Sequence, residues 1–185
     1  MHFLPKASQR VIAATWIIAA LCLATAVGRA EDFRLESAGA RYGFSSDDRS
    51  DDLKQAEAFL NWSLPWRWDL GSDWDLQSRL DLSAGWLGGN GEDGAIATVG
   101  PSLVLARGGW PLSLEGGLSP TLLSRFVFGP RNFGNNLQFT SHVGLNLDLG
   151  PHLRLGYRYQ HMSNAGLSSP NPGLNLHFFA LSYRF

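Results

Sequence analysis

An all-β fold, eight antiparallel strands closed into a transmembrane barrel, is what this 185-residue sequence predicts. Two observations lead there. After residue 31 the apolar residues recur with period two, not the 3.6 of a helix, in eight segments that mostly have about the ten residues a tilted membrane strand needs. The connectors alternate short and long, as the two rims of such a barrel require.

Period two is clearest in Leu76, Ser78, Leu80, Leu82, Ala84 and Trp86, whose partners Gln77, Arg79, Asp81, Ser83 and Gly85 are polar or small. Successive side chains of a strand point to opposite faces, so the pattern makes one face apolar and the other polar. It returns in Leu137, Phe139, Ser141, Val143, Leu145 and Leu147, interleaved with Gln138, Thr140, His142, Gly144, Asn146 and Asp148. The eight segments run roughly over 34–45, 54–64, 74–87, 95–107, 111–123, 136–149, 152–163 and 174–185.

Gly108-Gly109 and Gly150-Pro151 are turn dipeptides, whereas 45–53, 87–94, 124–135 and 164–173 are longer and polar. A long stretch at 65–73, on the side of the short turns, is the exception. Short turns face the periplasm and long loops the exterior, so the first, third, fifth and seventh segments end outwards. A soluble eight-stranded barrel shows the same alternation with its apolar face inside. The aromatic residues favour the membrane form: Trp62, Trp66, Trp68, Trp74, Trp86 and Trp110 lie near segment ends, where a girdle is expected. The terminal run Phe179-Ala180-Leu181-Ser182-Tyr183-Arg184-Phe185 resembles the C-terminal signature of bacterial outer-membrane proteins.

Ahead of the barrel, residues 1–30 read as a signal peptide. Lys6 and Arg10 form a basic start, Val11 to Val27 an apolar run, and Gly28-Arg29-Ala30 a small-residue cleavage site. Residues 31–185 are then one barrel domain with twelve basic and sixteen acidic groups, a net charge of −4. That balance excludes a nucleic-acid surface. The single cysteine, Cys22, falls within the leader, so cleavage leaves none.

The seventh segment carries Leu153, Leu155, Tyr157, Tyr159, His161 and Ser163 on one face, against Arg154, Gly156, Arg158, Gln160 and Met162 on the other. Residues two apart on a strand share a side, so an imidazole at 161 can serve a hydroxyl at 163 as general base. Spacing alone also fits two interfacial residues at the rim of the apolar belt. On the opposite face Arg79, Asp81, Glu115, Asp148, Arg154 and Arg158 can make a polar network that packs the lumen, since eight strands leave room for side chains and not for a pore. His142 and His152 have no histidine or cysteine at a metal-binding spacing, and no phosphate loop is present, so no metal or cofactor is implied.

His161-Met162-Ser163-Asn164-Ala165-Gly166-Leu167, followed by Pro170-Asn171-Pro172-Gly173-Leu174, resembles the lipid A 3-O-deacylase (PagL) family. The resemblance implies an eight-stranded barrel of the bacterial outer membrane that hydrolyses the acyl ester at the 3 position of lipid A. Lipopolysaccharide would be its substrate and outer-membrane lipids its surroundings, with a homodimer among the assemblies allowed. By position, Ser163 resembles the nucleophile and His161 its general base, while Asn164, Ala165, Gly166 and Asn171 fall where the site and its oxyanion hole are shaped. One departure stands out: Asn175 takes the place of the family's glutamate, fourteen residues after the histidine. An asparagine can orient the imidazole by accepting its N–H, as in the Ser-His-Asn arrangement of an unrelated outer-membrane phospholipase, but brings no charge to stabilise an imidazolium. His177 reads as an interfacial histidine. Two rivals stay open, a phospholipase-type acyl hydrolase on the same residues and a non-enzymatic barrel acting through its loops.

Overall fold

The computed structural model describes residues 33–46 and 52–185; the signal peptide expected over 1–30 lies outside these described residues. The strands in chain order are β1 (Arg34–Ser45), β2 (Lys54–Gly71), β3 (Trp74–Gly89), β4 (Glu92–Arg107) and β5 (Leu112–Leu123). A small hairpin follows, β6 (Val127–Phe128) with β7 (Arg131–Asn132), and then β8 (Leu137–Asp148), β9 (Leu153–Ser163) and β10 (Leu174–Arg184). The eight long strands pair antiparallel in a ring that closes where β10 meets β1, leaving no open sheet edge. All eight expected segments are strands of this ring.

Two connectors differ from expectation. Over 65–73 a long connector is expected, and Pro65 within it cannot donate a ladder hydrogen bond. Instead β2 continues to Gly71 and turns at Ser72-Asp73, with φ of 52° and 66°. The ladder to β3 absorbs Pro65 as an irregularity between Ser63 and Arg67, where Ser78 Oγ donates to the Trp66 carbonyl at 2.7 Å. Over 87–94 a long outer loop is expected, yet β3 and β4 run on to a two-residue turn at Asn90-Gly91, with φ of 56° and 80°. That dipeptide is the strongest short hairpin signal because both positions need φ above zero.

The two faces sort as the alternation requires. On β9 Arg154, Arg158, Gln160 and Met162 are buried, while Leu153, Leu155, Tyr157, Tyr159 and His161 are exposed. Leu82, Val99, Leu114, Leu122, Val143, Leu145 and Leu181 extend the outward apolar belt round the barrel. Inside, Glu115 is the hub of an ionic network, 2.7 Å from Arg79 and 2.6 Å from Arg158, and Arg79 also holds Asp81 at 2.7 Å. Arg41 pairs with Glu57, and Arg154 bridges Asp148 at 2.6 Å and Glu36 at 3.1 Å. Each buried charge needs such partners, since an unpaired one is far costlier than the pair is stabilising. The void left among these side chains is about 20 Å³, room for a single water and not a channel.

The outer end of the interior carries an apolar plug. Leu53, Leu87, Ile96, Leu123, Phe128, Phe133, Met162, Leu174, Leu176 and Phe178 form one buried apolar cluster there. The β6–β7 excursion folds Phe128 and Phe133 into it edge to face, with ring centroids 6.0 Å apart. Each fully buried ring of this kind stabilises the fold by about 1.5–3 kcal/mol. Met162 and Leu174, direct partners across β9 and β10, lie in this plug. The ends of both strands are therefore fixed from inside, and their outward faces are presented at the rim.

Candidate active site

Ser141 on β8, His161 on β9 and Asn175 on β10 stand side by side as register partners across three adjacent strands. Their neighbours His142, Met162, Leu174 and Leu176 are buried inwards, so alternation turns all three outwards. His161 Nδ1 lies 2.7 Å from Asn175 Oδ1. An amide oxygen has no proton to give, so Nδ1–H is the donor and Nε2 keeps its lone pair. Ser163 is one repeat further along the same face of β9, half-buried and opposite Phe139. Among the described residues its hydroxyl makes no hydrogen bond to the imidazole. Catalytic pairs commonly tighten to contact only around substrate.

Gly173 closes the other side of His161. Its φ is +67°, and a Cβ there would come within 3.0 Å of His161 Cε1 and 3.7 Å of Nε2. Glycine alone satisfies both the left-handed backbone and the close approach.

The four residues expected to shape the site divide into two roles. Asn164 is wholly buried, and its Nδ2 faces the carbonyls of Phe133 at 2.9 Å, Ser168 at 3.1 Å and Pro170 at 3.1 Å, and Ser168 Oγ at 3.0 Å. Its Oδ1 accepts from Gly166 N–H at 2.9 Å. The Asn164 side chain and the Gly166 N–H are thus consumed in building the loop. The Asn164 backbone N–H is held by Asn171 Oδ1 at 3.0 Å, and the exposed Asn171 Nδ2 and the Ala165 N–H are among the loop donors that meet no acceptor among the described residues. Two more bonds tie this loop to the neighbouring one, Asn135 Nδ2 to Ser168 Oγ at 2.7 Å and Arg131 to the Gly173 carbonyl at 2.6 Å.

His177 does not join the site. It lies one row below, opposite Tyr159, with Nδ1 2.7 Å from the Tyr157 hydroxyl. Phe44 and Tyr159 flank its ring at 5.9 and 5.2 Å. This is the rim aromatic band continuing beneath the polar row.

A family model described as Lipid A 3-O-deacylase (PagL) matches residues 54–184, which spans β2 through β10 and every residue named in this site. The chain belongs to the lipid A 3-O-deacylase (PagL) family. It is similar to the lipid A deacylase PagL of Bordetella bronchiseptica, 40% identical over 72 residues, covering 39% of this chain and 40% of that protein. The Pseudomonas aeruginosa lipid A deacylase PagL is 34% identical over 61 residues, or 33% of this chain and 35% of that one. In both cases the aligned stretch is less than half of the relative's own length. The crystal structure of the outer membrane enzyme PagL superposes with a TM-score of 0.70 at 23% identity, covering 79% of this chain and 97% of that one. Neisserial surface protein A gives 0.50 at 14% identity, over 83% and 98%. These two likenesses establish the outer-membrane type of barrel.

Within that family frame, three residues of the site were not singled out by spacing. Ser141 left a trace, as a hydroxyl interrupting an apolar stripe. Gly173 closes a Pro-x-Pro-Gly run that reads equally as an ordinary turn. Arg131 has no local signature at all.

Proposed function

We propose that this chain is a lipid A 3-O-deacylase of the outer membrane in which Ser163 is the nucleophile, His161 its general base and Asn175 the group that orients the base. The observation that carries the reading is the 2.7 Å bond from His161 Nδ1 to Asn175 Oδ1, which leaves Nε2 unprotonated on a residue that shares its strand face with Ser163. Ser163 Oγ attacks the ester carbonyl carbon at the 3 position while its proton passes to His161 Nε2. The tetrahedral oxyanion is met by the Ala165 N–H and the Asn171 amide, donors worth about 2.7–4 kcal/mol each in such sites. The intermediate collapses with cleavage of the bond to the sugar oxygen, which takes the proton back from His161. Water, activated by the same imidazole, then hydrolyses the acyl-enzyme and releases the 3-hydroxy fatty acid.

The placement of the row supports this substrate. It stands at the outer rim on the lipid side of the barrel, above the aromatic band, where an ester of an outer-leaflet lipid meets the protein surface. Mass spectrometry of lipid A from cells making the wild type, Ser163→Ala or His161→Ala tests it. Loss of the 3-linked chain with the wild type alone is expected; unchanged lipid A beside a folded wild-type barrel defeats the proposal. The amide at 175 also suits a phospholipase-type acyl hydrolase. Faster release of fatty acid from phospholipid vesicles than from lipid A would favour that second reading.

A further inference from the structure

We propose that Arg131 is a positioning residue of this site, holding Gly173 against the imidazole of His161 and so fixing the direction of its Nε2. The inference rests on the assignment of His161 and Ser163 as base and nucleophile.

Gly173 has a double relation to the base. A Cβ on it would press on the Cε1–Nε2 edge of His161, and two residues later the chain supplies Asn175, which holds the other nitrogen at 2.7 Å. Gly173 thus sets the packing on one edge of the ring, while the ladder-held Asn175 sets the other. Gly173 has no side chain with which to anchor itself, and the loop before it contains two residues of positive φ, Ala165 and Gly166. Its position must be set through its backbone, and the carbonyl is the handle.

Arg131 takes that handle. NH1 donates to the Gly173 oxygen at 2.6 Å from 42 residues earlier in the chain. Arg131 is 4% exposed, and its guanidinium carbon lies 6.0 Å from the centre of the Phe133 ring, itself part of the apolar plug. A bond with a charged donor is about twice as strong as a neutral one, and a planar guanidinium held on a ring has little freedom left to lose. The barrel ring closes without β6 and β7. The hairpin thus brings to the rim a rigid cation that the strands themselves do not provide, and directs it at the residue against the base.

The variants are Arg131→Met, which keeps length without a donor, Arg131→Lys, which keeps a charged donor, and Gly173→Ala. Folded protein is selected by its heat-modifiable gel mobility. Two measurements follow, steady-state ester hydrolysis in micelles and NMR of the histidine rings. Arg131→Met is expected to lower kcat on the order of tenfold to a hundredfold, the scale of a misplacement near 1 Å, with KM within about twofold. Arg131→Lys should recover most of that loss. The His161 ring resonances should move in Arg131→Met and Gly173→Ala while those of His152, at the opposite rim, stay in place. A folded Arg131→Met with wild-type kcat and unmoved His161 resonances overturns the proposal. If the wild type hydrolyses no ester, the assignment of function has failed, and the ring resonances alone decide whether Arg131 sets the imidazole.

Discussion

His161 and Asn175 face each other directly across β9 and β10, with the imidazole Nδ1 2.7 Å from the amide Oδ1. A neutral acceptor thus selects the tautomer and holds the ring, but would contribute no charge to the imidazolium that the proposed mechanism forms. Asn175→Ala is expected to lower kcat, by up to about ten-thousandfold, the loss when a triad's orienting group is replaced. Asn175→Asp, isosteric and charged, should match or exceed the wild type. Ester hydrolysis by the folded barrels in micelles is the measurement, and wild-type kcat in Asn175→Ala would remove position 175 from the mechanism.

Asn171 uses its two amide atoms for different tasks. Its Oδ1 fixes the loop through the Asn164 N–H at 3.0 Å, and in the proposed mechanism its Nδ2 meets the oxyanion. Asn171→Asp keeps the first and removes the second, so kcat should fall about a hundredfold to a thousandfold with the barrel's stability unchanged. Equal kcat in Asn171→Asp and wild type would leave the Ala165 N–H as the main donor.

Asn164→Ala should act by another route. It strips the loop of an amide that meets four acceptors and holds the Gly166 N–H. Stranding buried carbonyls costs about 1–3 kcal/mol, here concentrated in one loop. Faster amide exchange across 164–173, with the strands still protected, is the expected signature.

Glu115 joins Arg79 and Arg158 and also accepts from Asn146 Nδ2 at 2.9 Å. Glu115→Ala leaves two buried guanidinium groups short of their shared anion, a loss of about 3–5 kcal/mol. Denaturant unfolding of the refolded barrel in vesicles would show it as a lowered midpoint.

Leu145 points out of the barrel on β8, two rows below Ser141 on the same face. Leu145→Arg places a charge on the lipid face and should cost about 2–4 kcal/mol in a bilayer. If the variant were as stable as the wild type in vesicles, the outward belt would not be in contact with acyl chains.

The number of barrel strands, the face of each residue and the neighbourhood of His161 and Ser163 were legible in the sequence. Period-two alternation is a property of one strand's own geometry, so Tyr157, Tyr159, His161 and Ser163 share a side whatever they pack against. The connectors at 65–73 and 87–94 were less so. Whether Pro65 ends a strand or is carried as an irregularity depends on what β3 offers opposite it, and Ser78 bonding the Trp66 carbonyl settles that only after pairing.

The rest was decided by tertiary structure. That Asn175 meets His161, and Ser141 stands on its other side, is a matter of register, which loop closure and the packing of Met162 and Leu174 inside the barrel determine together. Asn164 looks from sequence like an oxyanion donor; only the convergence of Phe133, Ser168 and Pro170 on it makes it the loop's brace. Arg131 is the extreme case. Its reach to Gly173 spans 42 residues and passes through an apolar plug, so no local pattern marks it. Periodicity is written residue by residue, whereas a contact between distant segments exists only once the ring has closed and its outer end has packed.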